Sequence, residues 1–293
     1  MREIRHMRNM IAIAAILLGL AVLTRLPSCS SPALPAELRV ELAELIQTEG
    51  LPYGPITSGF NTALLTQGDL DQLLRGAAEG GTPAMVRWLL ERKANPHMPD
   101  RQGRTPLHLA AKQKAGESAA MLLEKKADPN ARDHEGRTPL HYAAQESPAT
   151  TAALLKAGAK ADIRDDKGNS ALILSRCAAC VEALLAAGAD AGIQDKEGRT
   201  PLHLAVKRRD VPMVELLLGK GVSLEAADAR GQTALHYAAA EGYGKTVEIL
   251  LEKGANPESR DAGGALPRDL AARGGHRFIV QMLGGSDAEA AQE

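Results

Sequence analysis

Apolar and polar positions follow a recurring pattern in the middle of the chain. A six-residue segment with the sequence Thr-(Pro/Ala)-Leu-His-(Leu/Tyr)-Ala occurs four times. Its copies begin at Thr105, Thr138, Thr200 and Thr233. An apolar run with a Leu-Leu pair follows each copy. Thr suits the N-cap of a helix and Pro its first position. Each copy therefore predicts the start of a short helix, and the apolar run behind it predicts a second helix.

The copies recur at an almost constant spacing. Thr105 and Thr138 lie 33 residues apart, as do Thr200 and Thr233. A degenerate copy begins at Ser170, 32 residues after Thr138 and 30 before Thr200. Counting 33 residues outward gives weaker copies at Gln72 and Leu266. Self-similarity at a fixed period indicates stacked units that share a continuous core, so the sequence predicts about seven units with atypical ones at both ends.

These segments resemble the ankyrin repeat. The resemblance includes the Thr-Pro-Leu-His-x-Ala segment, the Leu-Leu pair, a Gly-Ala and an Asp-x-x-Gly before the next unit, as in 133–136 and 195–198. It covers residues 69–282 and implies an all-α ankyrin-repeat solenoid of helix-turn-helix units with β-hairpin-like fingers. It also implies that the His of each copy forms hydrogen bonds within and between loops. The function it implies is non-enzymatic binding of a partner protein.

The second helix of most units is predicted to end at a glycine in the left-handed conformation. These glycines are Gly158, Gly188, Gly221 and Gly254. Lys93 and Lys126 occupy the same position in two other units. A lysine there is expected at positive φ, at a cost of about 1 kcal/mol.

The N-terminus has the pattern of an export signal. Arg2, Arg5 and Arg8 precede an unbroken apolar run over 10–23, so residues 1–28 are expected to be a signal peptide or signal anchor. The segment from Leu26 to Cys29 resembles a bacterial lipobox, which makes Cys29 a candidate for lipidation. Lipidation and an uncleaved anchor both place the repeats on the periplasmic side of a bacterial membrane.

The remaining segments flank the repeats. Residues 29–68 are expected to form a tether and an N-terminal helical cap, because 37–46 has helical apolar spacing. Residues 283–293 are expected to be a flexible tail. Only the N-terminal segment is expected to contact the membrane.

Composition narrows the classes of partner and chemistry. The formal net charge is −1, so no basic field favours nucleic acid. Aromatic residues make up 2% of the chain, which suits thin, closely stacked helices. The histidines recur once per unit, too far apart to share a metal ion. The Gly242–Thr246 segment lacks the first Gly of a phosphate-binding loop. We therefore expect no cofactor, small-molecule ligand or catalytic site.

A Cys-x-x-Cys pair, Cys177 and Cys180, lies in the unit that begins at Ser170. That unit is three residues shorter than the 33-residue units, and the pair is expected at the turn between its two helices, with Cys177 at the end of the first. Two alternatives stay open: a structural disulfide, which export allows, or two reduced thiols that pack as small apolar groups.

The candidate partner-binding residues are polar positions of the fingers and of the ends of the first helices. They are Arg101, Gln102, Arg104, Lys112, Gln113, His134, Glu135, Arg137, Gln145, Glu146, Asp166, Lys167, Asn169, Lys196, Glu197, Arg199, Lys207, Arg208, Arg230, Gln232 and Glu241. The expected function is a protein-binding scaffold. The alternatives are a thiol-redox factor using Cys177 and Cys180, or a passive structural component of an envelope complex.

Overall fold

The computed structural model describes residues 66–285. The predicted signal segment with Cys29, most of the predicted tether and cap, and the end of the predicted tail lie outside that range. The described part holds fourteen helices in seven consecutive pairs. The pairs are α1 (Gln67–Glu79) and α2 (Pro83–Glu91), α3 (Pro106–Lys112) and α4 (Gly116–Glu124), α5 (Pro139–Glu146) and α6 (Pro148–Lys156), α7 (Ala171–Leu174) and α8 (Ala178–Ala186), α9 (Pro201–Lys207) and α10 (Val211–Gly219), α11 (Ala234–Ala240) and α12 (Gly244–Glu252), and α13 (Pro267–Arg273) and α14 (Arg277–Met282).

Each pair is one repeat, and the repeats stack in chain order. The first helix of a repeat, called the inner helix below, packs against the next inner helix. The second, or outer, helices also pack against their neighbours, except that α8 and α10 are in little contact. The predicted all-helical solenoid of about seven units is confirmed. Within residues 66–285, no helix is long and apolar enough to cross a membrane.

The core runs along the whole stack rather than filling one centre. Leu107 and Leu140 of neighbouring inner helices are fully buried, as is Leu122 of an outer helix. Ala110 and Ala143 are also fully buried. A methyl group at those positions lets adjacent inner helices approach closely, so each repeat buries its apolar face only against its neighbours.

The first repeat begins earlier than the spacing predicts. Helix α1 starts at Gln67, whereas the 33-residue count placed its start beside Gln72. Leu73 stands where α3 has its N-terminal Pro106, so nothing stops the helix from extending backwards. Thr66 caps the N-terminus of this longer helix and forms a capping box with Asp69.

Repeat four is shortened in its inner helix. Helix α7 has four residues, whereas α3 and α9 have seven each. The predicted position of Cys177 at the end of this helix is wrong: α7 ends at Leu174, and Cys177 is the N-cap of α8. The three missing residues remove the last turn of α7, so the connecting segment starts one turn sooner.

The predicted left-handed residues after the outer helices are confirmed. Gly158, Gly188, Gly221 and Gly254 have φ between 77° and 93°, and Lys93 and Lys126 have φ of 64° and 62°. Lys114 and Arg209 are also left-handed, with φ of 60° and 56°. These two lie in the turn between inner and outer helix, where two later repeats have Gly242 and Gly275.

Candidate functional site

The finger that precedes each inner helix is a tight turn closed by an aspartate. In the third repeat, Asp133 accepts hydrogen bonds from the backbone N–H groups of Glu135 and Arg137 through one carboxylate oxygen, both at 2.9 Å. Its backbone N–H donates to the Arg137 carbonyl, also at 2.9 Å. Asp133 is buried, while Glu135 and His134 at the tip are exposed. Within residues 66–285 the fingers contain no strand.

Within residues 66–285, a backbone hydrogen bond joins four of the five pairs of neighbouring fingers, the exception being those of repeats four and five. The His134 N–H donates to the Gln102 carbonyl at 2.9 Å, and the Asp166 N–H donates to the Glu135 carbonyl at the same distance. Fingers five to seven repeat the bond through Ala229 and Ala262. The bonds hold the finger tips in one row, which presents their side chains on one surface.

The histidine series links each finger to the next repeat. His141 Nδ1 lies 3.0 Å from the Thr138 N–H and 2.9 Å from its hydroxyl, and His141 Nε2 lies 3.0 Å from the Asn169 carbonyl oxygen. His108, His203 and His236 make the same three contacts. The expected hydrogen bonds within and between loops are confirmed. Burial lowers the pKa of His108, His141 and His203, so these rings are held neutral.

A groove of about 550 Å³ opens between the fingers and inner helices of repeats two and three. We call it the finger groove. It brings together nine of the predicted partner-binding residues: Arg101, Gln102, Arg104, Lys112, His134, Glu135, Arg137, Gln145 and Glu146. It also includes Lys114, Asp133 and Tyr142, which sequence reasoning missed. Their signals were present: Lys114 follows the predicted Gln113, Tyr142 lies three residues before the predicted Gln145, and an aspartate recurs at the position of Asp133 in every finger.

Most charges in the finger groove are paired. Arg104 and Asp100 form a salt bridge of 2.7 Å, Arg137 lies 3.4 Å from Glu135, and Lys114 pairs with Glu146. Burial acts to raise the pKa of Asp100, but hydrogen bonds from Arg104 and Gln102 outweigh it and lower that pKa. The Asp100 carboxylate therefore stays ionised and holds the Arg104 side chain in place.

Two cations of the groove remain available. Arg101 and Lys112 are exposed, and neither forms a hydrogen bond or salt bridge through its side chain with any residue between 66 and 285. Arg101 lies in the finger and Lys112 at the end of α3. The free positive charges thus come from both walls of the groove.

Tyr142 anchors the groove floor. Its hydroxyl donates to Asp133 at 2.6 Å, and the Arg137 guanidinium lies 5.8 Å from the centre of its ring. Burial and the hydrogen bond to Asp133 raise the pKa of Tyr142 to about 12. The ring therefore stays neutral and positions Arg137, which faces the groove.

The remaining predicted contact residues lie outside the finger groove. Gln113 is the C-cap of α3; Asp166, Lys167, Lys196, Glu197 and Arg230 are exposed on fingers; Asn169, Arg199 and Gln232 end their fingers; Lys207, Arg208 and Glu241 lie at inner-helix ends. Arg199 is paired with Asp195 at 2.7 Å. The Arg208 guanidinium donates to the carbonyls of Ser175 and Ile173, at 3.0 and 3.4 Å. Arg208 therefore serves the shortened repeat as a helix cap.

Cys177 and Cys180 meet at the N-terminus of α8. Their Cα atoms are 5.1 Å apart and their Sγ atoms face each other at bonding distance. Disulfides usually have Cα separations of about 4.4–6.8 Å. The placement therefore suits a disulfide, one of the two alternatives that the sequence leaves open. No group of His, Cys, Asp and Glu side chains within 66–285 is arranged to hold a metal ion.

Comparisons with known proteins agree with this architecture. The family model described as "Ankyrin repeats (3 copies)" matches residues 73–165 and 171–261. The ankyrin repeat domain of Bcl-3, described as a unique member of the IkappaB protein family, is similar at 30% identity with a TM-score of 0.62. That match covers 68% of this chain and 92% of that chain.

A second solved structure, of the ankyrin repeat protein EF0377, is 28% identical with a TM-score of 0.57. It covers 61% of this chain and 96% of its own. A search of curated protein sequences found no match.

Proposed function

Because the chain belongs to the ankyrin-repeat family, we propose that it is a non-enzymatic scaffold that holds a partner protein in the finger groove. The family generally mediates protein–protein interaction. The observation that carries the choice of surface is the groove itself, where two fingers and two inner helices converge around about 550 Å³.

The charges of the groove indicate an acidic segment as the bound element. The paired residues offer little net attraction, since each cation already has a carboxylate within reach. Arg101 and Lys112 have no such partner among the described residues and flank the groove from opposite walls. A carboxylate of the partner beside either cation would accept a charge-assisted hydrogen bond. The amides of exposed Gln102 and partly buried Gln145 also line the groove and add uncharged donors and acceptors.

A matched pair of double variants tests this surface. Lys196 and Lys207 occupy, in repeat five, the positions that Arg101 and Lys112 occupy in repeat two. The Arg101→Glu/Lys112→Glu and Lys196→Glu/Lys207→Glu variants therefore change the net charge equally, at equivalent exposed places. Peptides selected from a displayed random library against the full chain serve as the probe. We expect Asp- and Glu-rich peptides whose affinity falls at least about tenfold in the groove variant and stays unchanged in the control.

Two outcomes would contradict the proposal. An equal loss in both variants would mean that overall charge attracts the peptides, without a defined groove. Unchanged binding in both would place recognition elsewhere. A passive structural role predicts that no peptide family is enriched. Thermal unfolding of both variants provides the check that the repeats remain folded.

We also propose that residues 1–28 export the chain and that Cys29 is lipidated, with an uncleaved anchor as the alternative. The support is the sequence pattern of three arginines, an apolar run and the lipobox-like segment before Cys29. Intact mass and membrane fractionation of the full chain and of Cys29→Ser separate the alternatives. Lipidation predicts cleavage before residue 29 and loss of membrane association in the variant, whereas an uncleaved anchor predicts full mass and retention in both.

A further inference from the structure

The Cys177–Cys180 pair has the geometry of an exchangeable thiol site. Cys177 is the N-cap of α8, and Cys180 lies in the first turn of that helix. The Cys180 backbone N–H donates to Cys177 Sγ at 3.2 Å. A sulfur at an N-cap receives hydrogen bonds and the positive end of the helix dipole, both of which stabilise a thiolate.

The two sulfur-bearing residues differ in exposure. Cys180 is completely buried, whereas Cys177 is partly exposed. The regular repeats show the same difference: the N-cap residues Ala115 and Asp210 of their outer helices are partly exposed, and the residues three positions later are buried. An incoming thiol can therefore reach Cys177, while Cys180 is shielded.

Positive charge lies beside the pair. Arg176 precedes Cys177 and is exposed. The Arg208 guanidinium donates to the carbonyl of Ser175, two residues before Cys177. Two positive charges therefore lie along the segment that leads to Cys177. The Ser175 hydroxyl also bonds the Ala144 carbonyl at 2.8 Å, which fixes the segment that leads to Cys177.

A purely structural disulfide is a weaker explanation of this arrangement. A bond between residues three apart closes a very short loop, and the entropy that a disulfide removes from the unfolded chain grows with loop length. The turn is already held by the Ser175 hydroxyl and by Arg208. A Cys177–Cys180 disulfide therefore adds little restraint to a turn that the Ser175 and Arg208 hydrogen bonds already hold.

We infer that Cys177 and Cys180 form a thiol–disulfide exchange site, in which Cys177 is the attacked sulfur and Cys180 is the leaving thiol. A thiolate RS⁻ attacks Cys177 Sγ, the Cys177–Cys180 bond breaks, and Cys180 leaves with the electron pair and takes a proton from water. A second thiolate then attacks the R sulfur and releases the Cys177 thiolate. Two substrate thiols are thereby oxidised to one disulfide, and the Cys177–Cys180 disulfide is reduced by two electrons. The substrate class is low-molecular-weight or protein thiols.

Single-cysteine variants test the division of roles. All arms carry Cys29→Ser in the full chain, so that only the pair reacts. Cys180→Ala leaves Cys177 alone and Cys177→Ala leaves Cys180 alone. Oxidised glutathione is the probe, and intact mass reports the mixed disulfide. We expect Cys180→Ala to form one adduct at least about tenfold faster than Cys177→Ala.

A second measurement needs no substitution within the pair. The Cys29→Ser chain is reduced with dithiothreitol and treated briefly with iodoacetamide, and peptide masses report which cysteine is alkylated. Preferential alkylation of Cys177 supports the site. Equal rates at the two cysteines, or no reaction at either in the folded protein, would overturn it. Peptide binding in the finger groove should be unchanged in these variants, so the two proposals can fail separately.

Discussion

The junction between repeats five and six and the junction between repeats four and five are built differently. At the first, His203 Nε2 lies 2.9 Å from the Gln232 carbonyl oxygen, and the Ala229 N–H donates to the Glu197 carbonyl at 2.9 Å. At the second, Ile173 stands in place of the histidine. Among residues 66–285, no backbone bond joins the fingers of repeats four and five through Lys167 and Lys196.

The shortened repeat compensates with side chains from its neighbours. Arg208 of repeat five reaches back to two carbonyls of repeat four, those of Ser175 and Ile173. These contacts satisfy backbone groups that the missing helical turn would have covered. The comparison shows that the repeated signature supplies the regular junctions, and that at the shortened repeat one arginine of the next repeat bonds the carbonyls at the end of α7.

The short inner helix of repeat four also limits how far the recognition surface extends along the stack. The finger groove needs the ends of two full-length inner helices, α3 and α5, to supply Lys112 and Gln145. Helix α7 ends before the equivalent position, so repeat four has no helical residue there. The groove therefore lies in the regular repeats on the N-terminal side of the shortened one.

Removing the histidine from a regular junction should have the largest effect on stability. In His203→Ala, Thr200 and the Gln232 carbonyl lose their buried partner, so we expect a loss of about 3 kcal/mol. Urea unfolding measures it. Ile173→Val, the control at the matching position of repeat four, should cost about 1 kcal/mol. Equal costs would show that the histidine adds nothing to the junction.

Removing the compensating arginine should cost somewhat less. Arg208→Ala leaves the carbonyls of Ser175 and Ile173 without their charged donor, and we expect a loss of about 2 kcal/mol. Lys207→Ala is the control, because Lys207 is exposed and makes no side-chain hydrogen bond within the described range. Urea unfolding in which both variants match the native chain would refute the capping role.

Exchanging residues at the left-handed position should change stability in opposite directions. Lys126→Gly should stabilise by about 1 kcal/mol, because glycine adopts a φ of 62° without strain. Gly188→Ala in repeat four should destabilise by a similar amount, since φ there is 85° although the added Cβ meets no neighbouring atom. Melting temperatures report both. A lower value for Lys126→Gly would contradict the assigned conformation.

Mild acid should weaken the junctions that contain His108, His141 or His203. Burial lowers the pKa of His203 in the folded state below its ordinary value of about 6.5. The unfolded chain therefore binds more protons, and stability falls as the pH drops through 6.5. At pH 6.5 half of the unfolded chains are protonated there, which costs up to about 0.4 kcal/mol per histidine. The free energy of unfolding should fall less between pH 7.5 and 6.5 in His203→Ala than in the native chain. An equal fall in both would argue against a neutral His203 ring in the folded state.

The architecture could be predicted from the sequence because its signals recur. The Thr-Pro-Leu-His segment encodes an N-cap, a helix start and a junction bond in four residues, and each copy supports the register of the others. The start of α1 was not predicted correctly. Leu73 stands where other repeats have the Pro that marks the helix start, and the N-cap Thr66 lies outside the repeated segment.

The finger groove was predicted only in part. Its polar residues follow from position within the repeat, but Tyr142 and Asp133 were missed because their roles depend on a contact nine residues apart. The capping role of Arg208 depends on residues more than thirty positions away, in a repeat that breaks the pattern. Sequence spacing gives the position of a side chain in the repeat and says nothing of which carbonyls lie within its reach.

Recognition in the finger groove is tested most directly by site-specific photo-crosslinking. A photoreactive amino acid replaces Gln102 at the groove or, as the control, Glu124 on the outer helix of the same repeat; both positions are exposed. Crosslinking is performed in the cells that produce the chain. The account predicts a protein adduct from position 102 that disappears in Arg101→Glu/Lys112→Glu, and none from position 124. Adducts from position 124 alone, or the same adducts from both positions, would contradict it.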